Sequence, residues 1–201
     1  MAATISDSWT RIAAWLRANA PDDFAFLQGP ASPEEIDAVA AQFGIEIPDD
    51  FRQLYELMNG TDPNGESAGL FPSVDEWDDM AFGPLALDQI VYDWQLQKEL
   101  VECGDFADRE PESCDSGIAN EWWNVGWIPF ASNGGGDYYC IDMAPTADGT
   151  KGQVITHSHE SGEHKVLAPS LSAYLGELAD GLEAGQFEYT DYGMQRIETE
   201  D

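Results

Sequence analysis

The sequence predicts an α+β fold in a single domain, and two patterns support this assignment. Apolar residues recur at helical spacing through the first half of the 201-residue chain and again near its end. Between these regions, short runs rich in β-branched and aromatic residues alternate with glycine-rich turns, as they do in an antiparallel meander. Helices that precede and follow a group of strands are typical of the α+β class.

The helix assignments begin with two segments that have clear start or stop signals. The first helix is predicted over residues 6–19, where one apolar stripe contains Ile5, Trp9, Ile12 and Leu16. The second begins at a capping box, because Ser32 is followed three residues later by Glu35. Gly44 is placed to end this helix in a left-handed cap. Further helices are predicted after Pro48 and from a cap at Asp88 to about residue 102.

The strands and the domain boundaries follow from the second half of the chain. Four strands are predicted over 127–130, 138–143, 153–157 and 165–167, and a last helix after Pro169. The polar stretch 104–120 lacks periodicity and is predicted to be a long surface loop. We therefore expect the domain to occupy residues 1–187, followed by an acidic C-terminal tail over 188–201.

The net charge narrows the possible partners. The chain has 39 Asp and Glu residues but only 8 Lys and Arg residues, which gives a formal charge of −31. Such a field repels nucleic acid and anionic membranes, whereas it accelerates the encounter with a basic partner. The same composition is also typical of adaptation to a salty cytoplasm or of high solubility. Charge alone leaves both interpretations open.

The cysteines and the N-terminus predict a cytoplasmic protein. Cys103, Cys114 and Cys140 cannot all pair with one another, and no Cys-x-x-Cys spacing occurs, which fits free thiols in a reducing compartment. The first 20 residues contain Asp7, Arg11 and other polar side chains, so they lack the apolar core of a signal peptide. No stretch approaches the eighteen or so apolar residues of a membrane span.

The sequence gives little support for catalysis, a metal or a cofactor. The glycine-rich run 133–137 is followed by a predicted strand, which favours a hairpin turn over a phosphate-binding loop before a helix. His157 and His159 could hold zinc with His164 or a carboxylate as third ligand, but their spacing matches no common zinc motif, which favours a polar strand end beside a turn. No Gly-x-Ser-x-Gly elbow occurs. We expect a protein that is not an enzyme and binds no cofactor.

Two acidic and aromatic segments are candidate partner contacts. Around Trp77 lie four carboxylates, those of Asp75, Glu76, Asp78 and Asp79. The ring could anchor a basic surface, or it could pack in the core while the acids are merely solvated. Glu121 precedes Trp122 and Trp123, of which one is expected to be buried and the other exposed, because adjacent strand residues face opposite ways.

Several of these motifs together resemble a known family. Residues 45–51 read Ile-Glu-Ile-Pro-Asp-Asp-Phe and are followed by Leu54-Tyr55 and Asn59-Gly60. Residues 126–142 read Gly-Trp-Ile-Pro-Phe-Ala-Ser-Asn-Gly-Gly-Gly-Asp-Tyr-Tyr-Cys-Ile-Asp. With the helix starts at 32–36 and 169–175, this order resembles the SUKH superfamily over about residues 9–187. The nearest branch is the one named for the fungal cell-wall-assembly regulator, Smi/Knr.

The resemblance implies a binding protein with no catalytic residues. The superfamily includes bacterial immunity proteins that neutralise toxins and fungal regulators of glucan synthesis. Because this chain is almost all domain, we expect the bacterial type, with a basic toxin domain, such as that of a nuclease, as its partner. The alternative is a regulatory interaction domain of cell-envelope or signalling assemblies. The expected contact residues are Asp75, Glu76, Trp77, Asp78, Asp79, Glu121, Trp122 and Asp137.

Overall fold

The computed structural model describes residues 4–62, 69–74 and 80–197, and these confirm the α+β class. The described elements, in chain order, are α1 (Ile5–Asn19), α2 (Pro21–Phe24), α3 (Pro33–Phe43), α4 (Asp49–Tyr55), β1 (Gly83–Pro84), α5 (Leu87–Cys103), β2 (Trp127–Ser132), β3 (Tyr138–Asp142), β4 (Gln153–His157), β5 (Val166–Ala168), α6 (Leu171–Glu183), β6 (Phe187–Thr190) and β7 (Gly193–Arg196). Across the described ranges, no helix has the length and hydrophobicity that crossing a bilayer requires.

The helix termini follow local chemistry closely. The hydroxyl of Ser32 accepts a hydrogen bond from the backbone N–H of Glu35 at 3.2 Å, and the Glu35 carboxylate accepts one from the backbone N–H of Ser32 at 2.8 Å. This reciprocal pair is the predicted capping box. Gly44 ends α3 with a φ of 65°, as predicted, a left-handed conformation that glycine adopts without steric cost. The hydroxyl of Ser170 caps α6 in the same way as Ser32 caps α3.

The larger sheet is antiparallel and has the strand order β1-β2-β3-β4-β5. Its central strand β3 is buried along its whole length, because helices and loops cover both faces. The register pairs Tyr138 with His157 and Cys140 with Ile155. Helix α1 packs against α6, and the Arg11 guanidinium joins the two helices through the carboxylate of Glu183 at 2.8 Å.

Two assignments made from the sequence are wrong. Residues 187–196 form the hairpin β6–β7, where an acidic tail was expected from residue 188. Phe187 and Met194 from this hairpin are buried, so the apolar side chains hold it on the domain although the segment is acidic overall. Helix α5 begins at Leu87 with Ala86 at the capping position, whereas Asp88 lies in the first turn.

Residues 104–120, predicted to be a surface loop, form no helix or strand, but they are attached to the domain. Cys114 forms a parallel β-bridge with His164, and the backbone N–H of Asp115 donates to the carbonyl of His164 at 3.0 Å. The side chain of Ile118 is buried. This segment therefore covers the edge of the sheet near the start of β5.

Candidate functional site

A groove of about 800 Å³ opens where α5, the turn between β2 and β3, and the turn between β6 and β7 meet. Its described lining is drawn from segments that are distant in the sequence: Thr61, Asp62, Met80, Ala81, Gly83, Leu85, Gln89, Tyr92, Asp93, Ser132, Asn133, Gly134, Gly135, Gly136, Tyr138, Asp191 and Tyr192. A cleft of this size suits part of a peptide chain or a small molecule.

Hydrogen bonds from backbone N–H groups fix the two turns that form its walls. The N–H of Ala81 donates to the carbonyl of Tyr192 at 3.2 Å, which attaches the β6–β7 turn to the chain before β1. In the β2–β3 turn, the side-chain oxygen of Asn133 accepts from the N–H of Gly135 at 2.8 Å and from that of Asp137 at 3.2 Å. This turn is the hairpin predicted from the glycine-rich run.

The groove exposes large side chains that could pack against a partner. Tyr92 is 68% exposed, Tyr192 is 65% exposed and Met80 is 51% exposed. Tyr138 lies buried at the base, where its ring stacks near that of His157. Tyrosine supplies a large contact area with few rotatable bonds, so exposed tyrosines at the rim of a groove are typical of binding surfaces.

The charged groups of the groove are all carboxylates. Its lining includes Asp62, Asp93 and Asp191, and no lysine, arginine or histidine is found among its described residues. Burial raises the pKa of the Asp93 carboxyl to about 6. Burial also raises the pKa of the Tyr138 phenol, and the nearby charge of Asp93 raises it further. An ionised Asp93 is therefore incompletely solvated and has no ion-pair partner in the described part of the chain.

The chain's own cations are engaged elsewhere. All eight lysine and arginine residues lie in the described ranges, and each contacts a residue outside the groove. Five meet carboxylates, in the pairs Arg11–Asp180, Arg52–Asp37, Lys98–Glu102, Lys151–Glu46 and Lys165–Glu163. Three lie over aromatic rings, in the pairs Arg17–Phe24, Arg109–Trp122 and Arg196–Phe187. Asp93 and Asp191 thus have no cation partner among the described residues.

Of the residues predicted as partner contacts, the three that the structure describes, Glu121, Trp122 and Asp137, do not line this groove. Asp75, Glu76, Trp77, Asp78 and Asp79 lie outside the described residues. Glu121 is exposed, and its carboxylate accepts a hydrogen bond from the side-chain N–H of Asn124 at 2.9 Å. Asp137 borders the β2–β3 turn, but its carboxylate accepts from the backbone N–H of His159 at 2.7 Å and contacts the ring of that residue at 2.8 Å.

The expectation that one of two adjacent tryptophans would be exposed is wrong. Trp122 is 8% exposed and Trp123 is 3% exposed. The guanidinium of Arg109 covers the ring of Trp122 at 4.9 Å, while Trp123 packs edge-on against Trp127 and His157. The segment is irregular, so the alternation of faces along a strand does not apply to it. Trp122 therefore offers little surface to a partner.

The histidines separate into a buried pair and one exposed residue. The rings of His157 and His164 stack at 5.4 Å inside a cage that includes Trp123 and Trp127. Burial lowers the pKa of His157 to about 3 and also lowers that of His164. His159 lies apart from them, against Asp137. Within the described ranges, no three His, Cys, Asp or Glu side chains are arranged to hold a metal ion.

Sequence reasoning missed the groove residues Tyr92, Asp93 and Tyr192. Tyr92 carried a weak signal, because it is a large aromatic residue that lies off the stripe defined by Ile90 and Trp94 on α5. Tyr192 was missed because it lies in the segment that was assigned to the acidic tail. No local pattern distinguishes Asp93 from the other carboxylates of this acidic chain.

Several relatives of the chain are fungal proteins, and two of them are named as regulators. It is 23% identical, over 215 aligned positions, to the glucan synthesis regulatory protein of Neurospora crassa, across 91% of this chain and 39% of that protein. It is 24% identical to the cell wall biosynthesis/cell cycle regulator smi1 of Schizosaccharomyces pombe, across 91% of this chain and 37% of that protein. It is 32% identical to a KNR4/SMI1 homolog of Kluyveromyces lactis over 80 residues, which are 40% of this chain and 15% of that protein.

These relatives correct the functional prediction. The expectation of an immunity protein in a toxin–antitoxin pair, with a basic toxin domain as partner, is wrong, because the names of the relatives describe regulators of glucan synthesis and the cell wall. The chain spans about two fifths or less of the length of these proteins. The amount of sequence outside the domain was therefore no guide to the branch. The alternative of a regulatory domain agrees better with the relatives.

The family assignment rests on most of the chain. A family model described as SMI1 / KNR4 family (SUKH-1) matches residues 30–177. This range begins just before the capping box of α3 and ends within α6, so it contains the whole larger sheet and both motifs on which the resemblance was based. The chain belongs to the SMI1 / KNR4 family (SUKH-1).

Proposed function

We propose that this chain is a regulatory protein-interaction domain of cell-envelope or signalling assemblies, and that the groove beside α5 is its contact surface. The observation that carries the proposal is the combination, in one groove, of exposed Tyr92 and Tyr192 with the half-buried carboxylate of Asp93, which has no cation partner among the described residues. Aromatic and methionine side chains are enriched at protein interfaces. The regulatory names of the fungal relatives support the assignment of the assembly.

We propose further that the domain acts without catalysis. The support comes from its buried reactive groups, whose environments oppose activation. Burial raises the pKa of the Cys114 and Cys140 thiols, so neither is a ready thiolate nucleophile. The lowered pKa of His157 leaves it a weak base, and it lies in the aromatic cage rather than in the groove.

We place this activity in the cytoplasm. Cys103, Cys114 and Cys140 are free thiols, and they range from exposed to fully buried. Free thiols at all levels of exposure are typical of a reducing compartment. The role of residues 75–79 as additional contacts stays a prediction.

Photocrosslinking in the native cell tests the interface. A photoreactive phenylalanine analogue replaces Tyr92 in the groove and, as the matched control, Glu177, which is exposed on α6 outside the groove. We expect a discrete crosslinked protein from position 92 and none from position 177. Equal crosslinking from both positions would contradict the assignment of the groove.

Complementation tests the regulatory role. A strain that lacks the gene should respond abnormally to an envelope-disrupting drug, and the wild-type gene should restore the response. The Tyr92→Glu, Tyr192→Glu double variant should fold normally, because both side chains are largely exposed, yet it should fail to restore the response. Full restoration by this variant would show that the groove has no part in regulation.

A further inference from the structure

We propose that the groove binds an arginine-bearing, otherwise apolar segment of the partner protein, with the guanidinium paired to Asp93. This inference rests on the proposed function and specifies the chemistry of the partner. It names a short extended or looped segment, because the groove of about 800 Å³ is enclosed by turns on two sides and holds a few residues.

The groove floor carries a negative charge. Asp93 is half-buried on α5, and it has no cation among the described residues. The groups near it on β3 are the Tyr138 phenol and the Cys140 thiol, both of which burial keeps uncharged at neutral pH by raising their pKa values. Asp62 and Asp191 add further negative charge to the lining. A cation that enters therefore gains a charge partner that nothing in the described groove supplies.

The groove favours an arginine over a lysine. A guanidinium can pair with a carboxylate and stack on an aromatic face at the same time, whereas an ammonium is a compact and more strongly hydrated charge. Tyr92 and Tyr138 line the same groove as Asp93, and Tyr138 lies near enough for the charge of Asp93 to raise its pKa. Two of the chain's own arginines show the stacking part of this contact: Arg17 lies 4.5 Å from the ring centre of Phe24, and Arg109 lies 4.9 Å from that of Trp122.

The apolar side chains of the groove indicate that the rest of the segment is apolar. Met80 and Tyr192 are more than half exposed at the rim, and Ala81 and Leu85 line the wall behind them. These side chains would be covered by aliphatic neighbours of the arginine. A second copy of this chain is disfavoured as the occupant, because each copy has a formal charge of −31 and engages all of its own cations internally.

The test uses two synthetic peptides and the 201-residue chain. The probe is a fluorescent peptide amide in which two arginines alternate with three leucines, and its control has citrulline, a neutral analogue of the same shape, at both arginine positions. Fluorescence anisotropy at pH ~7.5 and ~0.15 M salt reports the dissociation constants. We expect the citrulline peptide to bind at least about tenfold more weakly, because it lacks the charge that pairs with Asp93. Equal binding of both peptides would overturn the proposal.

Two variants separate the groove from the general acidity of the surface. Asp93→Asn should weaken binding of the arginine peptide about tenfold, whereas Glu99→Gln should weaken it less than about twofold. Both variants remove one negative charge from α5, but Glu99 is exposed and lies outside the groove. Equal losses in the two variants would mean that the peptide senses only net charge, and would overturn the proposal.

A third variant distinguishes a loss of peptide affinity from a loss of folding. Tyr92→Ala removes a side chain that is 68% exposed, so its unfolding midpoint should match that of the wild type while its affinity for the arginine peptide falls about fivefold. An unchanged affinity would count against the proposal. Failure of the peptide experiments together with specific crosslinking from position 92 would refute the arginine segment but keep the interaction domain. Peptide binding without crosslinking in the cell would instead refute the proposed function.

Discussion

Acidification should destabilise this protein through its buried histidines, and His157 should contribute most. Its ring is 2% exposed, lies edge-on to Trp123 at 4.9 Å and stacks near His164 at 5.4 Å. Burial first, and then the neighbouring His164, lowers the pKa of His157 to about 3. In the unfolded chain the same imidazole has its ordinary pKa of about 6.5. Below that pH the unfolded chain takes up a proton that the folded chain refuses.

The size and sign of the effect follow from this difference. The stability that neutral His157 contributes is fully present above pH ~6.5 and falls as the pH drops toward ~3, by about 1.4 kcal/mol for each pH unit. Between pH ~7 and ~5 the loss is about 2 kcal/mol. Asp93 acts in the opposite direction, because its folded pKa is raised to about 6, so the folded state gains protons first. The raised pKa of Asp142 also opposes the loss.

A difference measurement isolates His157 from these opposing groups. Urea unfolding of the wild type and of His157→Phe, an aromatic substitution that removes the titrating group, gives the free energy of unfolding at pH ~7 and ~5. We expect the wild type to lose about 2 kcal/mol relative to the variant over this interval. His159→Gln is the control, because His159 is exposed, and it should follow the wild type. Parallel pH profiles of the wild type and His157→Phe would refute the reasoning.

Three further predictions concern a turn, a cap and the groove. Gly60→Ala should lower the free energy of unfolding in urea by about 3 kcal/mol or more, because φ is 65° and a Cβ would overlap the backbone of Leu85 and Ala86. The control Gly134→Ala has a φ of 75° but open space around the new Cβ, so it should cost about 1 kcal/mol. Equal costs would contradict the packing argument. Ser32→Ala should lower the unfolding free energy by about 1 kcal/mol through loss of the capping box, and an unchanged midpoint would mean that the cap contributes nothing. The affinity for the arginine peptide should fall up to about tenfold between pH ~7 and ~5, because Asp93 becomes protonated. The Asp93→Asn variant should lack this pH dependence. A wild-type affinity that does not change with pH would show that the peptide does not contact Asp93.

The parts of the fold that local chemistry determines were predictable from the sequence. Ser32 and Glu35 satisfy each other's backbone N–H groups within one turn, and Gly44 adopts a conformation that few other residues tolerate. Such signals depend on neighbours within about four residues. The family, which the match over residues 30–177 confirms, was predictable for the same reason, because its motifs combine these local signals in a fixed order.

The groove was not predictable in this way, because its surface comes from segments that meet only in the folded chain. Tyr92 lies on α5 and Tyr192 lies in the last hairpin, 100 positions later in the sequence. The hairpin itself was misjudged because its acidic residues outweighed the alternation that buries Phe187 and Met194. Acidity describes how a segment is solvated, whereas two buried side chains decide whether it packs.

The net charge of −31 is a poor guide to the position of an interface, because it is a property of the whole surface. The distribution of the few cations is more informative. All eight positive side chains contact carboxylates or aromatic rings outside the groove, so none of them offsets the charge of Asp93. A partner with a single exposed arginine would thus be steered toward the acidic surface in general but retained where its charge, its planar face and its apolar neighbours are all matched.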